Sequence, residues 1–287
     1  MSKKKIHLLI IDPQNDFCDL PANYLPSIGG TVTTPALPVA GAHADMLRVA
    51  NLIRQGGAGL NDISVTLDSH QLVDIAHPPF WQKGDGSEVQ PFTQIRAKDV
   101  RDGLYNTRRP ALRERALSYL NDLETNGRYI HMVWPVHCQI GTWGNNVHED
   151  VRKAYNEWEV TNSSIVNKII KGTNPWTEHY SAIQAEVPDK DDESTWINTG
   201  LLSRLKQADT ILISGEASSH CVKATTEHIV QNFGAEAGKL VLLADCMSPV
   251  AGFETQHREF MENMLACGVK VKQAAYVIEE LIANSNK

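Results

Sequence analysis

The chain has 287 residues, 42% hydrophobic and 21% charged, enough apolar material for one large α/β core. With 34 acidic against 27 basic side chains its net charge is −7, which argues against nucleic acid or an anionic membrane surface as a partner. Five cysteines (18, 138, 221, 246 and 267) are scattered without paired spacing, so free thiols in a reducing, cytoplasmic setting are expected.

The lysines after Met1 and the apolar run behind them give the start a brief likeness to a secretory leader. The run is too short, and Asp12-Pro13-Gln14-Asn15-Asp16 stands where a small-residue cleavage site belongs. No stretch is long enough to span a bilayer.

Ile6–Ile11 is a near-continuous apolar run, the mark of a parallel strand buried on both faces. It ends at Asp12, and ligand sites of open α/β sheets lie at the carboxyl ends of their strands. Residues 18–42, rich in Pro, Gly and Thr, read as a loop. A helix of about ten residues from near Asp45 points Met46, Val49, Leu52 and Ile53 inward and stops at Gly56-Gly57. A second strand, Ile63–Leu67, ends in Asp68-Ser69-His70, where the period of two puts Asp68 and His70 on one side of the sheet. Two such groups begin a metal site without finishing one, and His77 follows seven residues on. Residues 78–108 read as loop, and 110–123 as a helix with Pro110 in its first turn.

A third strand, Tyr129–Val133, leads into Trp134-Pro135-Val136-His137-Cys138 and places His137 at the same sheet edge. Ile165–Ile170 reads as a further strand, closed by Lys171-Gly172, and 186–195 as an exposed acidic loop. Buried beside Asp12, Lys171 would pair with it and help activate a thiol between them. A helix over 199–207 precedes the strand Thr210–Ile213, and a strand over Lys239–Ala244 precedes a helix over 254–267. A last strand, Val269–Val271, and a helix over 275–284 close the chain. Strand and helix alternate, which predicts a single α/β domain over 1–287, a central, mostly parallel sheet between two layers of helices. No Gly-rich phosphate cradle follows a strand.

The stretch Ser214-Gly215-Glu216-Ala217-Ser218-Ser219-His220-Cys221-Val222 joins the strand ending at Ile213 to a helix running to Gly234. Cys221 then sits at a helix N-terminus, where unpaired N–H groups lower a thiol pKa and can hold an oxyanion. Alone, such a cysteine is more often a small buried side chain. The rest of the chain gives it a setting.

Read together, these pieces resemble the isochorismatase-like cysteine hydrolases, and within them the nicotinamidases and pyrazinamidases. The matching stretches are Ile11–Phe17, Val39–Ala42, Asp68–His70, Trp134–Cys138, Lys171–Thr173 with Tyr180–Ala182, and Gly215–Ala217 with Cys221-Val222. The resemblance implies a three-layer α/β/α fold of Rossmann-like type. It implies a catalytic triad of Asp12, Lys171 and Cys221, with the N–H groups of Ala217 and Cys221 as oxyanion hole. Asp68, His70 and His137 would hold one divalent metal ion (zinc, iron or manganese), and His77 matches a fourth ligand of some relatives, though at an ill-fitting spacing. Phe17 and Trp134 resemble the aromatic walls around a substrate ring, and the Glu216–Ala217 peptide matches one that is cis in the family.

The implied reaction converts nicotinamide and water to nicotinate and ammonia through a thioester, and the family implies a homo-oligomer. Two departures point to a reshaped pocket: Ser69 in place of an aromatic or similarly bulky residue, and a long insertion around 78–127. Isochorismatases proper generally lack the nucleophilic Cys, and metal-free hydrolases of N-carbamoyl compounds lack the Asp-His-His set. A related hydrolase of another small amide or N-carbamoyl compound is the first alternative. A catalytically silent small-molecule binder, or a redox sensor through Cys221, is the alternative of a different class.

Overall fold

The computed structural model describes residues 3–287, so Met1 and Ser2, where the leader-like start begins, lie outside the described residues. Among the described residues no helix is long and apolar enough to cross a membrane, and none of the five cysteines is paired.

A central sheet of six parallel strands runs through the molecule: β1 (Ile6–Ile11), β2 (Asp62–Asp68), β3 (Asn167–Lys171), β4 (Thr210–Gly215), β5 (Leu240–Leu243) and β6 (Lys270–Lys272). Their order is β6-β5-β4-β1-β2-β3. β1 and β5 are buried along their whole length, because helices cover both faces of the sheet. The helices are α1 (Ala42–Gly56), α2 (Ala97–Arg101), α3 (Arg113–Asn126), α4 (Glu149–Asn162), α5 (Thr199–Lys206), α6 (Cys221–Phe233), α7 (Glu254–Ala266) and α8 (Ala274–Ser285). α1 packs on α4 and α8, and α6 packs on α5 and α7. This is the expected three-layer α/β/α architecture.

The strand order places the site. β1 feeds β2 on one side, while the later strands build out from β4 on the other, so the chain direction splits at β1 and β4. In an open parallel sheet a crevice opens there, at the carboxyl ends. The register aligns those ends: Ile11 lies opposite Gly215, and Asp68 opposite Lys171.

Three expectations change. The run Tyr129–Val133 does not join the main sheet; only His131–Val133 is strand, and it pairs antiparallel with Thr93–Ile95. A short apolar run reads alike whichever neighbour takes it. The stretch 78–108 is not plain loop. It contains strands Trp81–Lys83, Thr93–Ile95 and Tyr105–Thr107 and helix α2, and with α3 it buries a hydrophobic cluster of its own around Trp81, Ile95, Val100 and Leu120. The 186–195 stretch is only partly an exposed loop: Glu186 and Thr195 are buried, and the Asn174 amide donates to Asp189 and Asp192 at 3.1 and 2.9 Å.

Two helices differ from expectation in extent. α4 has no counterpart among the expected elements, although Val151, Ala154, Tyr155 and Trp158 form a helical stripe against α1. α1 starts earlier than expected, at Ala42, because the Asp19 carboxylate accepts the N–H groups of Gly41 and His43, both at 2.8 Å.

Candidate active site

β1 ends into Asp12, whose backbone stands in the left-handed region at φ 44. The conformation is held by Thr66 of β2: its hydroxyl accepts the Asp12 N–H at 3.0 Å and donates to Asp12 Oδ1 at 2.5 Å. β3 ends in Lys171, and α6 begins at Cys221. The crevice brings the three together. Lys171 Nζ lies 2.9 Å from Asp12 Oδ2, 3.0 Å from Asp68 Oδ1, 2.9 Å from the His179 carbonyl and 3.6 Å from Cys221 Sγ. Lys171 thus bridges the Asp12 carboxyl and the Cys221 sulfur. Lys171, Asp12 and Asp68 are all buried.

Burial works against the Lys171 charge, but Asp12 and Asp68 outweigh it and hold the ammonium well above the ordinary lysine range. Burial pushes Asp12 up, with Lys171 opposing. The thiol departs from expectation. Burial, joined by Asp12 and Asp68, drives Cys221 well above the usual thiol range despite Lys171 and the helix N-terminus. The resting sulfur therefore keeps its proton, with Asp12 beside it to take it.

Glycine is required at two positions here. A Cβ on Gly172 (φ +81) would crowd Asp68 Oδ1, and one on Gly215 (φ +116) would enter the Ile11 backbone.

Asp68 also faces the histidines. Its Oδ2 lies 3.0 Å from His70 Nε2 and 3.4 Å from His137 Nε2. Ligand atoms of His70, His77 and His137 lie within 4.8 Å of one another, all three side chains buried. The long segment after β2 folds back and delivers His77, 3.3 Å from His137. Each imidazole has an oxygen acceptor at Nδ1: Asp74 Oδ2 for His70 (3.1 Å), the Gln71 carbonyl for His77 (3.1 Å) and the Pro135 carbonyl for His137 (2.8 Å). With an ion bound, those acceptors would keep a proton on each Nδ1 and free each Nε2 as the ligand atom. Burial lowers His77 to about 2, so it stays neutral. Burial also opposes charge on His70, yet Asp68 and Asp74 hold it well above its ordinary value, the mark of a place that favours a cation. One carboxylate and three imidazoles fit zinc, iron or manganese.

Phe17 and Trp134 flank this crevice. The Phe17 ring lies 5.4 Å from that of His137, and Trp134 lies 5.0 Å from His220, its indole N–H bonded to the Tyr180 hydroxyl at 3.0 Å. The Glu216–Ala217 peptide is cis. Among the described residues, the N–H groups of Ala217 and Cys221 donate no hydrogen bond. Beyond His220 and Tyr180 a cavity of about 470 Å³ opens, lined also by Tyr129, Arg128, Lys223 and Phe253.

Several residues of the site were given no role by the sequence. Gln14 clamps Asp68 through both its amide atoms, each contact at 2.7 Å. Asp16 accepts the Cys138 N–H at 2.7 Å, and the Asn145 amide donates to the Asp68 carbonyl at 2.8 Å. Gln14 and Asp16 lie in the stretch after β1 that carries the resemblance; Thr66, Asp74 and Asn145 give no signal until register places them.

No protein-family model matches the sequence, and no curated protein matches it. Solved structures do. The nicotinamidase/pyrazinamidase of Acinetobacter baumanii superposes with a TM-score of 0.61 at 20% identity, over 96% of this chain and 98% of that one. The yeast nicotinamidase bound to the inhibitor nicotinaldehyde gives 0.61 at 18%, over 93% and 99%. The Pyrococcus horikoshii pyrazinamidase in complex with zinc gives 0.51 at 19%, over 94% and 99%. The likeness runs nearly end to end in each pair, and the chain has the fold of these nicotinamidases and pyrazinamidases.

Proposed function

We propose that the protein is a metal-containing cysteine amidohydrolase that cleaves the C–N bond of a small amide, with nicotinamide the first substrate to test. One observation carries this reading: Lys171 Nζ stands within 3.6 Å of Asp12, Asp68 and the Cys221 sulfur at once, in a buried crevice. Asp12 accepts the thiol proton, and Lys171 stabilises the ionised pair. The thiolate attacks the amide carbon. The Ala217 and Cys221 N–H groups hold the oxyanion, at about 3 kcal/mol per donor. The amine takes the proton from Asp12 and leaves as ammonia. Asp12 then draws a proton from water, which hydrolyses the thioester and returns Cys221 to its thiol. Asp68, His70, His77 and His137 would hold the metal, and the neighbour solved with zinc makes zinc the first ion to load. When bound, the ion supplies a fixed positive charge that orients and polarises the substrate's electron-pair donor.

Ammonia release from nicotinamide, compared between the wild type and Cys221→Ala, tests the proposal. Release that depends on Cys221 is expected. Equal release from both proteins, or no turnover of nicotinamide and a panel of small amides by zinc-loaded protein, would overturn it. The cavity beyond His220 favours a second reading with the same chemistry, an amide larger than nicotinamide. A higher kcat/KM for pyridine or aryl amides with ring substituents would select it.

A further inference from the structure

Behind the turn that carries Ala217 and Cys221 lies a pair of buried carboxyl groups that the hydrolytic steps do not use. Glu216 directly follows β4, and its side chain is fully buried. Its Oε2 accepts the Ser248 N–H at 3.1 Å. Its Oε1 is buried and has no hydrogen-bond partner. Asp45 on α1 accepts the Ser248 hydroxyl at 2.6 Å and the Arg48 guanidinium at 2.5 Å. The two carboxyl groups meet at Ser248, Glu216 accepting its N–H and Asp45 its hydroxyl. An ionised Glu216 would bury a charge with an unpartnered oxygen and no cation of its own, so the site suits a neutral acid.

The pair is tied directly to the turn. The Ser248 carbonyl accepts the Ser218 N–H at 2.9 Å, and the Ser219 hydroxyl accepts the Val250 N–H at 3.1 Å. The titratable or charged groups facing Glu216 are Asp19 and Cys18 from the first loop, Asp45 and Arg48 from α1, and Asp245 and Cys246 from the segment after β5. Arg48, the cation among them, is committed to Asp45 and to the Asp245 carbonyl.

We infer that Glu216 is a positioning residue: as a neutral acid it holds Ser248, which also bonds Asp45, and so clasps α1 to the turn that aims the Ala217 and Cys221 N–H groups. The inference rests on the oxyanion role proposed for those two groups. Burial, then the charge of Asp45, holds the Glu216 carboxyl well above the usual range, so the clasp keeps its proton at neutral pH. Gln at this position offers the same donor and acceptor without a proton to lose.

The test compares wild type, Glu216→Gln and Glu216→Ala by amide kinetics, by the rate of Cys221 alkylation with iodoacetamide read by peptide mass, and by Tm between pH 5 and 9. Glu216→Ala is expected to lower kcat about tenfold with KM changed less than about threefold, and Glu216→Gln to restore kcat to within about twofold. Because the native carboxyl pKa is raised, its stabilisation is complete below the unfolded value and fades as pH climbs towards the folded one. The Tm advantage of Glu216→Gln over wild type should therefore widen with pH. A gap that does not change with pH, or a Gln variant as impaired as the Ala variant, would overturn the clasp. Should the wild type turn over no amide, the hydrolase proposal fails separately. The clasp then stands if Cys221 alkylation shifts in the Ala variant and returns in the Gln variant, and falls if alkylation is the same in all three.

Discussion

Asp12, Lys171 and Cys221 lie far apart in sequence, and each marks the end of a strand or the start of a helix, where an unexpected polar residue stands out against apolar runs. That contrast marked them as candidates, and the resemblance supplied the roles expected of them. Thr66 had no such contrast: a threonine inside a strand is ordinary, and only the pairing of β1 with β2 puts its hydroxyl on Asp12. Thr66→Val keeps the volume and removes both bonds to Asp12. It should lower kcat about tenfold and destabilise the fold by about 1–3 kcal/mol, measured by steady-state kinetics and urea unfolding. Lys171→Met leaves Asp12 and Asp68 buried without their counter-ion. A stability loss of about 3–5 kcal/mol is expected, enough to show in a melting curve before any assay is run. His77 was hard to place from sequence because its spacing from His70 says nothing about a loop that doubles back.

The elements of the main sheet were largely legible, because β1, β4 and β5 are mostly apolar runs and β2 alternates apolar with polar residues. The segment 78–127 was not. Its strands have three residues each, too short for periodicity to register, and their partners lie far along the chain. Its cluster is nonetheless well packed: Trp81 is fully buried, and its indole N–H donates to the Ile75 carbonyl at 2.7 Å. That contact sits two residues before His77, and the Ala76 carbonyl accepts the Trp134 N–H at 2.7 Å. Trp81→Ala should cost about 3–5 kcal/mol. Hydrogen exchange should rise across 75–133 while β1 and β4 stay protected, and affinity for added zinc should fall with it. Exchange rising evenly through the whole chain would mean that this cluster and the main core open as one unit.

At the scale of the whole molecule, several histidines are buried in neutral form, and acid should find them. Burial lowers His131, packed between the rings of Trp81 and Tyr119, to about 4. A depressed folded pKa gives stability that is complete above the unfolded value near 6.5 and is lost as pH falls towards 4. Relative to wild type, His131→Leu should gain about 2 kcal/mol between pH 7 and pH 5, read as a Tm difference that grows on acidification. Chelation should lower the wild-type Tm, since an ion bound only by the folded chain stabilises it by mass action, while Asp68→Ala protein, left with three imidazoles, should respond less to the chelator.

Those last two treatments are not equivalent, because Asp68 looks in two directions, one oxygen towards Lys171 and the other towards the imidazoles. Deleting the side chain strips the ammonium of one of its two anions as well as taking one ligand from the metal shell, whereas a chelator leaves the ammonium's surroundings whole. Stripped wild type and Asp68→Ala should therefore differ in how fast Cys221 reacts with an alkylating reagent, and that difference isolates what the shared carboxylate does for the sulfur from what it does for the ion.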